Sequence, residues 1–120
     1  METMSGWIVV PNVSKYGYVG LDESCYYHRD EAIDLLGFQV VPPGLHNIQL
    51  SLSKHEEAKD GCWLELQPGE VIVKVFNYDQ QKFEDATDET TSRYQHLARS
   101  GELSQTLKPY IRHFRGRQAP

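Results

Sequence analysis

The chain has 120 residues, an apolar fraction of 39% and a charged fraction of 24%, values that fit one globular domain with its own core. Its formal net charge of −5 argues against a nucleic-acid-binding protein, because such proteins present a basic surface to phosphates. Two cysteines are too few for a disulfide scaffold and no apolar window approaches about 18 residues, so a cytoplasmic protein without a membrane span is expected.

The first two thirds of the chain are predicted to form β-strands. A short apolar run at residues 7–10 stops at a proline, and residues 16–21 contain two glycines, which weaken a strand or mark a bulge. Residues 26–36 are ambiguous between a strand and a helical turn. Residues 38–41 form the next predicted strand.

The sequence Pro42-Pro43-Gly44 predicts a stiff turn that reverses the chain, because proline fixes φ at about −65° and glycine accepts positive φ. Apolar residues 48, 50 and 52 then alternate with polar neighbours, which predicts a half-buried strand. His46 is expected to point to the polar side of this strand, opposite Ile48, and to hydrogen-bond a carbonyl of the turn.

Residues 62–79 are predicted to form a β-hairpin. Its strands, at 62–66 and 71–76, flank the sequence QPGE, which has Pro and Gly where a type II turn needs them. The hairpin is the most strongly indicated element of the chain.

From residue 85 onward the apolar period becomes that of a helix. Asp88 is a candidate N-cap for a first helix, with Tyr94 and Ala98 on its apolar stripe. Residues 103–114 repeat apolar positions at spacings near four, which predicts a second, amphipathic helix that Pro109 kinks or ends.

These elements together predict an α+β fold, either an antiparallel β-sandwich or a partly open barrel, with C-terminal helices packed on it. We expect residues 1–84 to form the β-rich domain. Residues 85–115 are expected to be a C-terminal helical segment of the same domain, and residues 116–120 a flexible tail.

Two cysteines and two histidines are candidate metal ligands. Cys25 and His28 have the spacing C-x-x-H, and His55 and Cys62 would complete a zinc set. The second pair fits no standard zinc finger, so packed cysteines are the preferred interpretation and a small-ligand or metal-binding β domain is the alternative. Since no catalytic or phosphate-binding motif is present, neither enzymatic activity nor a cofactor is expected.

Four segments, in the same order, resemble one group of splicing proteins, the U-five small nuclear ribonucleoprotein assembly factors first named for splicing of a yeast mating-type cistron. The segments are GFQVVPPGLH at 37–46, YVGLD at 18–22, PGEV at 68–71 with the later Phe76 and Tyr78-Asp79, and Leu107 with Pro109-Tyr110. The resemblance covers roughly residues 7–111.

This resemblance implies a β-rich N-terminal domain with a non-enzymatic role, the chaperoning of the large scaffold protein of the spliceosome before assembly finishes. We therefore expect a protein-interaction domain with a protein partner, without direct nucleic-acid or membrane contact, and with a homodimer as a further candidate. Binding is expected through an exposed sheet face or the turn. The predicted partner-binding residues are Pro42, Pro43, Gly44, His46, Tyr18 and Asp22.

Members of that family continue into a separate helical domain. A chain of 120 residues is therefore expected to be either an excised domain or a stand-alone relative that keeps the fold without the splicing role. The N-terminal methionine without a purification tag favours the stand-alone relative.

Overall fold

The computed structural model describes residues 4–13, 17–22, 25–28, 35–51 and 60–110. Within these ranges the chain is mostly β, with two sheets and one α-helix. The strands are β1 (Gly6–Val9), β2 (Tyr18–Leu21), β3 (Cys25–His28), β4 (Gly37–Val41), β5 (Gly44–Ser51), β6 (Asp60–Leu66), β7 (Val71–Asn77), β8 (Lys82–Asp85) and β9 (Leu107–Pro109). Helix α1 (Asp88–Arg99) and a 3-10 turn (Ser104–Thr106) lie between β8 and β9.

The strands form a five-stranded sheet with the order β8-β7-β1-β4-β9 and a four-stranded sheet with the order β3-β2-β5-β6. All pairs in the four-stranded sheet are antiparallel. In the five-stranded sheet, β1 pairs with β7 and β4 pairs with β9 in parallel. The prediction of an antiparallel fold is therefore wrong for this sheet. Long connections bring β7 beside the central strand β1, and β9 to the edge of the sheet beside β4, each in the parallel direction.

The five-stranded sheet lies between the four-stranded sheet and α1. Successive side chains of a strand point to opposite faces, so Ile8 of β1 joins the core shared by the two sheets while Val9 joins a second cluster containing Ala98 of α1. Buried residues of the shared core include Val19, Leu21, Ile48, Leu50 and Leu66 from one sheet and Ile8, Phe38, Val41 and Phe76 from the other. Two sheets around one core, with a helix outside, are compatible with the predicted α+β sandwich.

The predicted hairpin at residues 62–79 is wrong, although its turn is right. Gly69 has a φ of +71° and the Glu70 N–H donates to the Gln67 carbonyl at 3.0 Å, as in a type II turn. However, β6 pairs with β5 and β7 pairs with β1 and β8. The turn therefore carries the chain from one sheet to the other.

The turn at Pro42-Pro43-Gly44 has the same role. It joins β4 of the five-stranded sheet to β5 of the four-stranded sheet, and these strands do not pair with each other. The predicted reversal between paired strands is thus replaced by a crossing between sheets. Proline fits this position because its missing N–H is not needed for a ladder.

The C-terminal part is predicted to be helical over residues 85–115. Its described residues, which end at 110, contain one α-helix. The second predicted helix, at 103–114, is wrong over the residues described, because the chain forms a 3-10 turn and then β9 along β4. Pro109 stands on this edge strand, where an absent N–H costs no ladder hydrogen bond. Residues 111–120, including the predicted tail, lie outside the described ranges, as do the helical turn expected near residue 30 and Leu52.

Helix α1 is capped at both ends. The N-cap is Thr87 rather than the predicted Asp88, and its hydroxyl accepts from the Thr90 N–H at 3.2 Å. At the other end, Gly101 has a φ of +84°, and the Glu102 N–H donates to the Leu97 carbonyl, which closes a Schellman motif. No helix in the described ranges is long and apolar enough to cross a membrane.

A β-bulge in β4 stores backbone strain at Val40. The pairing of β1 with β4 advances two residues on β1, from Gly6 to Ile8, but three on β4, from Val41 to Phe38. Val40 in this bulge has a φ of +57°, which is costly for a β-branched residue, and it is 57% exposed.

Val40→Gly is therefore expected to raise the free energy of unfolding by about 0.5–1 kcal/mol, because relief of about 1–2 kcal/mol of left-handed strain exceeds the entropy cost of glycine. Urea denaturation measures the change. Val40→Ala is the matched control: it keeps the Cβ atom and should gain less. Equal effects of the two substitutions would contradict the assignment of strain.

Candidate functional site

His46, the histidine of the predicted turn motif, lies inside the protein. Its residue is 3% exposed, and it shares the buried face of β5 with Ile48 and Leu50. The expectation that His46 points to the polar side is therefore wrong. Residues two apart in a strand face the same side, so His46 has to follow Ile48.

Both ring nitrogens of His46 are engaged. Nε2 lies 2.6 Å from the Pro42 carbonyl oxygen, and since a carbonyl only accepts, Nε2 donates there. Nδ1 lies 2.5 Å from Oδ2 of Asp22. The predicted hydrogen bond from His46 to a turn carbonyl is confirmed. Neither ring nitrogen is available to take a proton from a substrate, so the ring does not have the geometry of a general base.

Asp22 forms three further hydrogen bonds beside His46. It directly follows β2, has a φ of +58°, and its N–H donates to the Asn47 carbonyl at 2.8 Å. Its Oδ1 accepts from the Asn47 N–H at 2.7 Å, and its Oδ2 accepts from the Tyr110 hydroxyl at 2.8 Å. The Tyr110 ring also meets the His46 ring edge-on, with centroids 5.6 Å apart.

We call these residues the Asp22–His46–Tyr110 cluster. Through the Pro42 carbonyl, it ties together the end of β2, the crossing between the sheets, β5 and the segment after β9. Buried polar groups that are fully hydrogen-bonded specify one arrangement of the chain, because an unpaired group there is costly. The cluster therefore has a structural role: its hydrogen bonds hold the Pro42–Gly44 turn in place.

The turn itself is open to solvent. Pro42 and Gly44 are exposed and Pro43 is partly exposed, so side chains of the predicted set reach the surface even though His46 does not. Asp22 is largely enclosed, with a side chain that is 17% exposed. Of the predicted partner-binding residues, the structure thus brings together Asp22, His46 and Pro42, and it leaves Pro42 and Gly44 accessible.

Tyr18 lies apart from the cluster. It begins β2, four residues before Asp22, which separates them by about 13 Å along an extended strand. Its ring stacks on Tyr26 with a centroid distance of 5.1 Å. Burial, and then the neighbouring Tyr26, raise the pKa of the Tyr18 hydroxyl above its usual value.

The outer face of the four-stranded sheet carries two large apolar side chains beside the turn. Leu45 is 65% exposed and Trp63 is 67% exposed. Leu45 pairs with Glu65 and Asn47 pairs with Trp63, so Leu45 and Trp63 are diagonal neighbours on the same face. We call them the Leu45–Trp63 patch. Exposed apolar residues that lie together are typical of contact surfaces.

The sequence interpretation missed this patch, although a signal was present. Leu45 stands in phase with the polar residues Asn47 and Gln49, and Trp63 stands out of phase with the core residues Leu64 and Leu66. Two large apolar residues that lie together at solvent-facing positions of neighbouring strands indicate a candidate contact surface, whereas a single one would not.

The zinc alternative does not fit the sheet. Cys25 on β3 and Cys62 on β6 belong to opposite edges of the four-stranded sheet, joined by the paired row Cys25, Leu21, Ile48 and Cys62. Three strand spacings of about 4.8 Å place their backbones about 14 Å apart, whereas Zn–S bonds are about 2.3 Å long. The two sulfurs cannot bind one ion.

His55 and the side chain of His28 lie outside the described part of the chain. Within the described part, no group of three or more His, Cys, Asp or Glu side chains is placed to hold a metal ion.

Comparison with known proteins gives one family. The model of the AAR2 N-terminal domain matches residues 4–116, and no curated protein matches the chain. The matched family is the group of assembly factors that the four sequence segments resemble, and three of those segments supply the Asp22–His46–Tyr110 cluster. Since the family model covers nearly the whole sequence, this chain belongs to the AAR2 N-terminal domain family.

Proposed function

We propose that this chain is a non-enzymatic protein-interaction domain of the spliceosomal assembly-factor type. Its contact surface is the Leu45–Trp63 patch together with the adjoining Pro42–Gly44 turn. Membership of the AAR2 family supports a protein partner, and the family resemblance points to the large spliceosomal scaffold protein as that partner. The observation that carries the proposal is the exposure of Leu45 and Trp63, at 65% and 67%.

The energetics of this surface suit a contact between proteins. A buried tryptophan at the centre of an interface is a frequent hot spot, with a loss of about 2 kcal/mol or more on truncation. The turn beside the patch is held from below by the bond between His46 and the Pro42 carbonyl. A surface fixed before binding loses little conformational freedom when a partner docks.

A non-enzymatic role is supported by the way His46 is bonded. The Asp22–His46 pair has the composition of a catalytic pair, but its second ring nitrogen donates to a backbone carbonyl at 2.6 Å instead of facing a nucleophile. The part of this arrangement that reaches the surface is the Pro42–Gly44 turn. Its residues are two prolines and a glycine, which have no reactive side chain but present a fixed shape to a partner.

The double substitution Leu45→Ser and Trp63→Ser is expected to weaken retention of the scaffold protein at least about tenfold. The melting temperature should change little, because both side chains are about two thirds exposed. The measurement is affinity purification of the tagged chain from its host, with mass spectrometry of the retained proteins. Tyr78→Ser, which changes a 40% exposed aromatic residue on the turn after β7, is the control.

Undiminished retention of the scaffold protein by the double variant would overturn the assigned surface. Self-association of the wild-type chain, lost in the double variant, would instead make a second copy of this chain the occupant of the patch. Light scattering coupled to size-exclusion chromatography distinguishes these two results.

A further inference from the structure

A second surface feature is a groove of about 470 Å³ between the outer edge of β6 and the start of β7, with the first turns of α1 as its other wall. Its volume falls in the range of ligand-binding clefts, about 300–1,000 Å³. On the β7 side it is lined by Val71–Lys74, and on the α1 side by Asp88, Thr91 and Gln95.

The groove is bordered by open strand edges. β8 pairs with β7 only from Lys74 to Asn77, so the segment 71–73 of β7 has no strand on that side among the described residues. The Val71 carbonyl accepts from the Gln95 side chain and the Val73 carbonyl from the Ala86 N–H, both at 3.4 Å. These bonds are longer than the usual value of about 2.9 Å, so a better placed donor would replace them.

The groove is also acidic. Four of its side chains are carboxylates and one is an ammonium group: Glu65, Glu70, Asp85 and Asp88 against Lys74. Lys74 is already committed, with Nζ 2.6 Å from the Asp85 carboxylate, and Glu70 accepts from the Gln67 N–H. Glu65 and Asp88 form no ion pair with any described residue.

We infer that this groove binds an extended, lysine- or arginine-rich segment of a partner protein. The segment lies along residues 71–73 of β7, where its backbone N–H groups donate to the Val71 and Val73 carbonyls, as in strand addition to a sheet edge. Its cationic side chains contact Glu65 and Asp88. Three residues at about 3.3 Å each give the open edge a length of about 10 Å, which three residues of extended peptide span.

The chemistry of the walls selects this occupant. Both the backbone carbonyls and the carboxylates of Glu65 and Asp88 accept hydrogen bonds, so the ligand has to be rich in donors and positively charged. An extended peptide with basic side chains supplies both sets of donors at once. This groove is a different site from the Leu45–Trp63 patch, and of that patch only the Trp63 side chain also lines the groove. An experiment that rules out binding at one of the two sites therefore leaves the other site to be tested separately.

The test uses the whole chain and a hexapeptide of alternating lysine and valine with blocked ends. In an NMR titration at low salt, the largest amide shifts are expected at residues 63–65 and 71–74. Glu65→Gln with Asp88→Asn should weaken binding about fivefold, since exposed ion pairs contribute modestly. The matched control, Glu89→Gln with Asp79→Asn, removes the same two kinds of charge outside the groove and should leave binding unchanged.

Three results would overturn the inference: amide shifts outside the groove, equal binding of a glutamate–valine hexapeptide, or equal weakening by the control pair. The last result would mean that the net charge of −5 attracts the peptide without a site. Two-dimensional NMR spectra of each variant, with unchanged peak dispersion, show that the variants are folded.

Discussion

Gly37→Ala is expected to unfold the domain or to lower its free energy of unfolding by about 4 kcal/mol, through overpacking and backbone strain together. A Cβ atom at this position would lie 2.2 Å from the Ile8 carbonyl oxygen and 2.9 Å from the Val9 Cα atom. Both contacts are with the backbone of β1, which cannot rotate away as a side chain would. Gly37 also has a φ of +154°.

Gly44→Ala is the matched control for this clash. Gly44 has a similar φ of +132°, but a Cβ atom there meets nothing within 4 Å. The Gly44 variant therefore carries only the backbone strain, about 1–3 kcal/mol. Urea denaturation of both variants gives the difference that belongs to the close approach of β1 and β4. Equal losses would show that Gly37 is needed for its dihedral angles and not for space.

The second large effect is expected for His46→Ala, with a loss of about 3 kcal/mol in the free energy of unfolding, because a polar group that loses its partner inside the protein costs about 1–3 kcal/mol and two such groups are affected. Among the described residues, the substitution leaves the Pro42 carbonyl without its donor and Oδ2 of Asp22 with the Tyr110 hydroxyl as its one remaining partner. It also empties space on the buried face of β5, which adds a cavity cost.

Two other substitutions separate these contributions. Tyr110→Phe removes one hydrogen bond to Asp22 and keeps the ring, so a loss of about 1 kcal/mol is expected. Gln49→Ala, on the outer face of the same strand, should change the free energy of unfolding by less than about 0.5 kcal/mol. A His46→Ala variant with unchanged stability and weakened partner binding would contradict the positional role and restore a direct contact.

The sequence was sufficient for properties that depend on neighbouring residues. Alternation predicts that Ile48 and Leu50 enter the core, and both are buried. The composition of the turn at residues 67–70 predicts its shape, which Gly69 adopts with a φ of +71°. These features follow from local sterics and from the two-residue period of a strand.

Strand pairing was not predictable in the same way. A turn fixes where the chain bends, but the partner of the following strand depends on distant segments, so the predicted hairpin became a crossing between sheets. Likewise, the spacing of Leu103, Leu107 and Tyr110 fits a helix, yet Leu107 pairs with Gly37 across seventy residues of chain. Local periodicity does not contain that contact.

The candidate site shows the same limit. The resemblance to assembly factors put Pro42, His46 and Asp22 into one predicted set, and the structure brings them within hydrogen-bond distance. Tyr110 completes the cluster from a position 88 residues from Asp22, where the sequence predicted a helix. The side on which His46 lies follows from the two-residue period of a strand, because His46 stands two positions before the buried Ile48.

The central place of the first strand has a consequence for synthesis on the ribosome. β1 is flanked by β4 and by β7, so its second neighbour emerges more than sixty residues after it has been made. Until then the nascent chain exposes the apolar segment Ile8–Val10, a state that invites chaperones or misassembly. Completion of the sheet is therefore expected to be a late, slow event, governed by the distance in sequence between its partners.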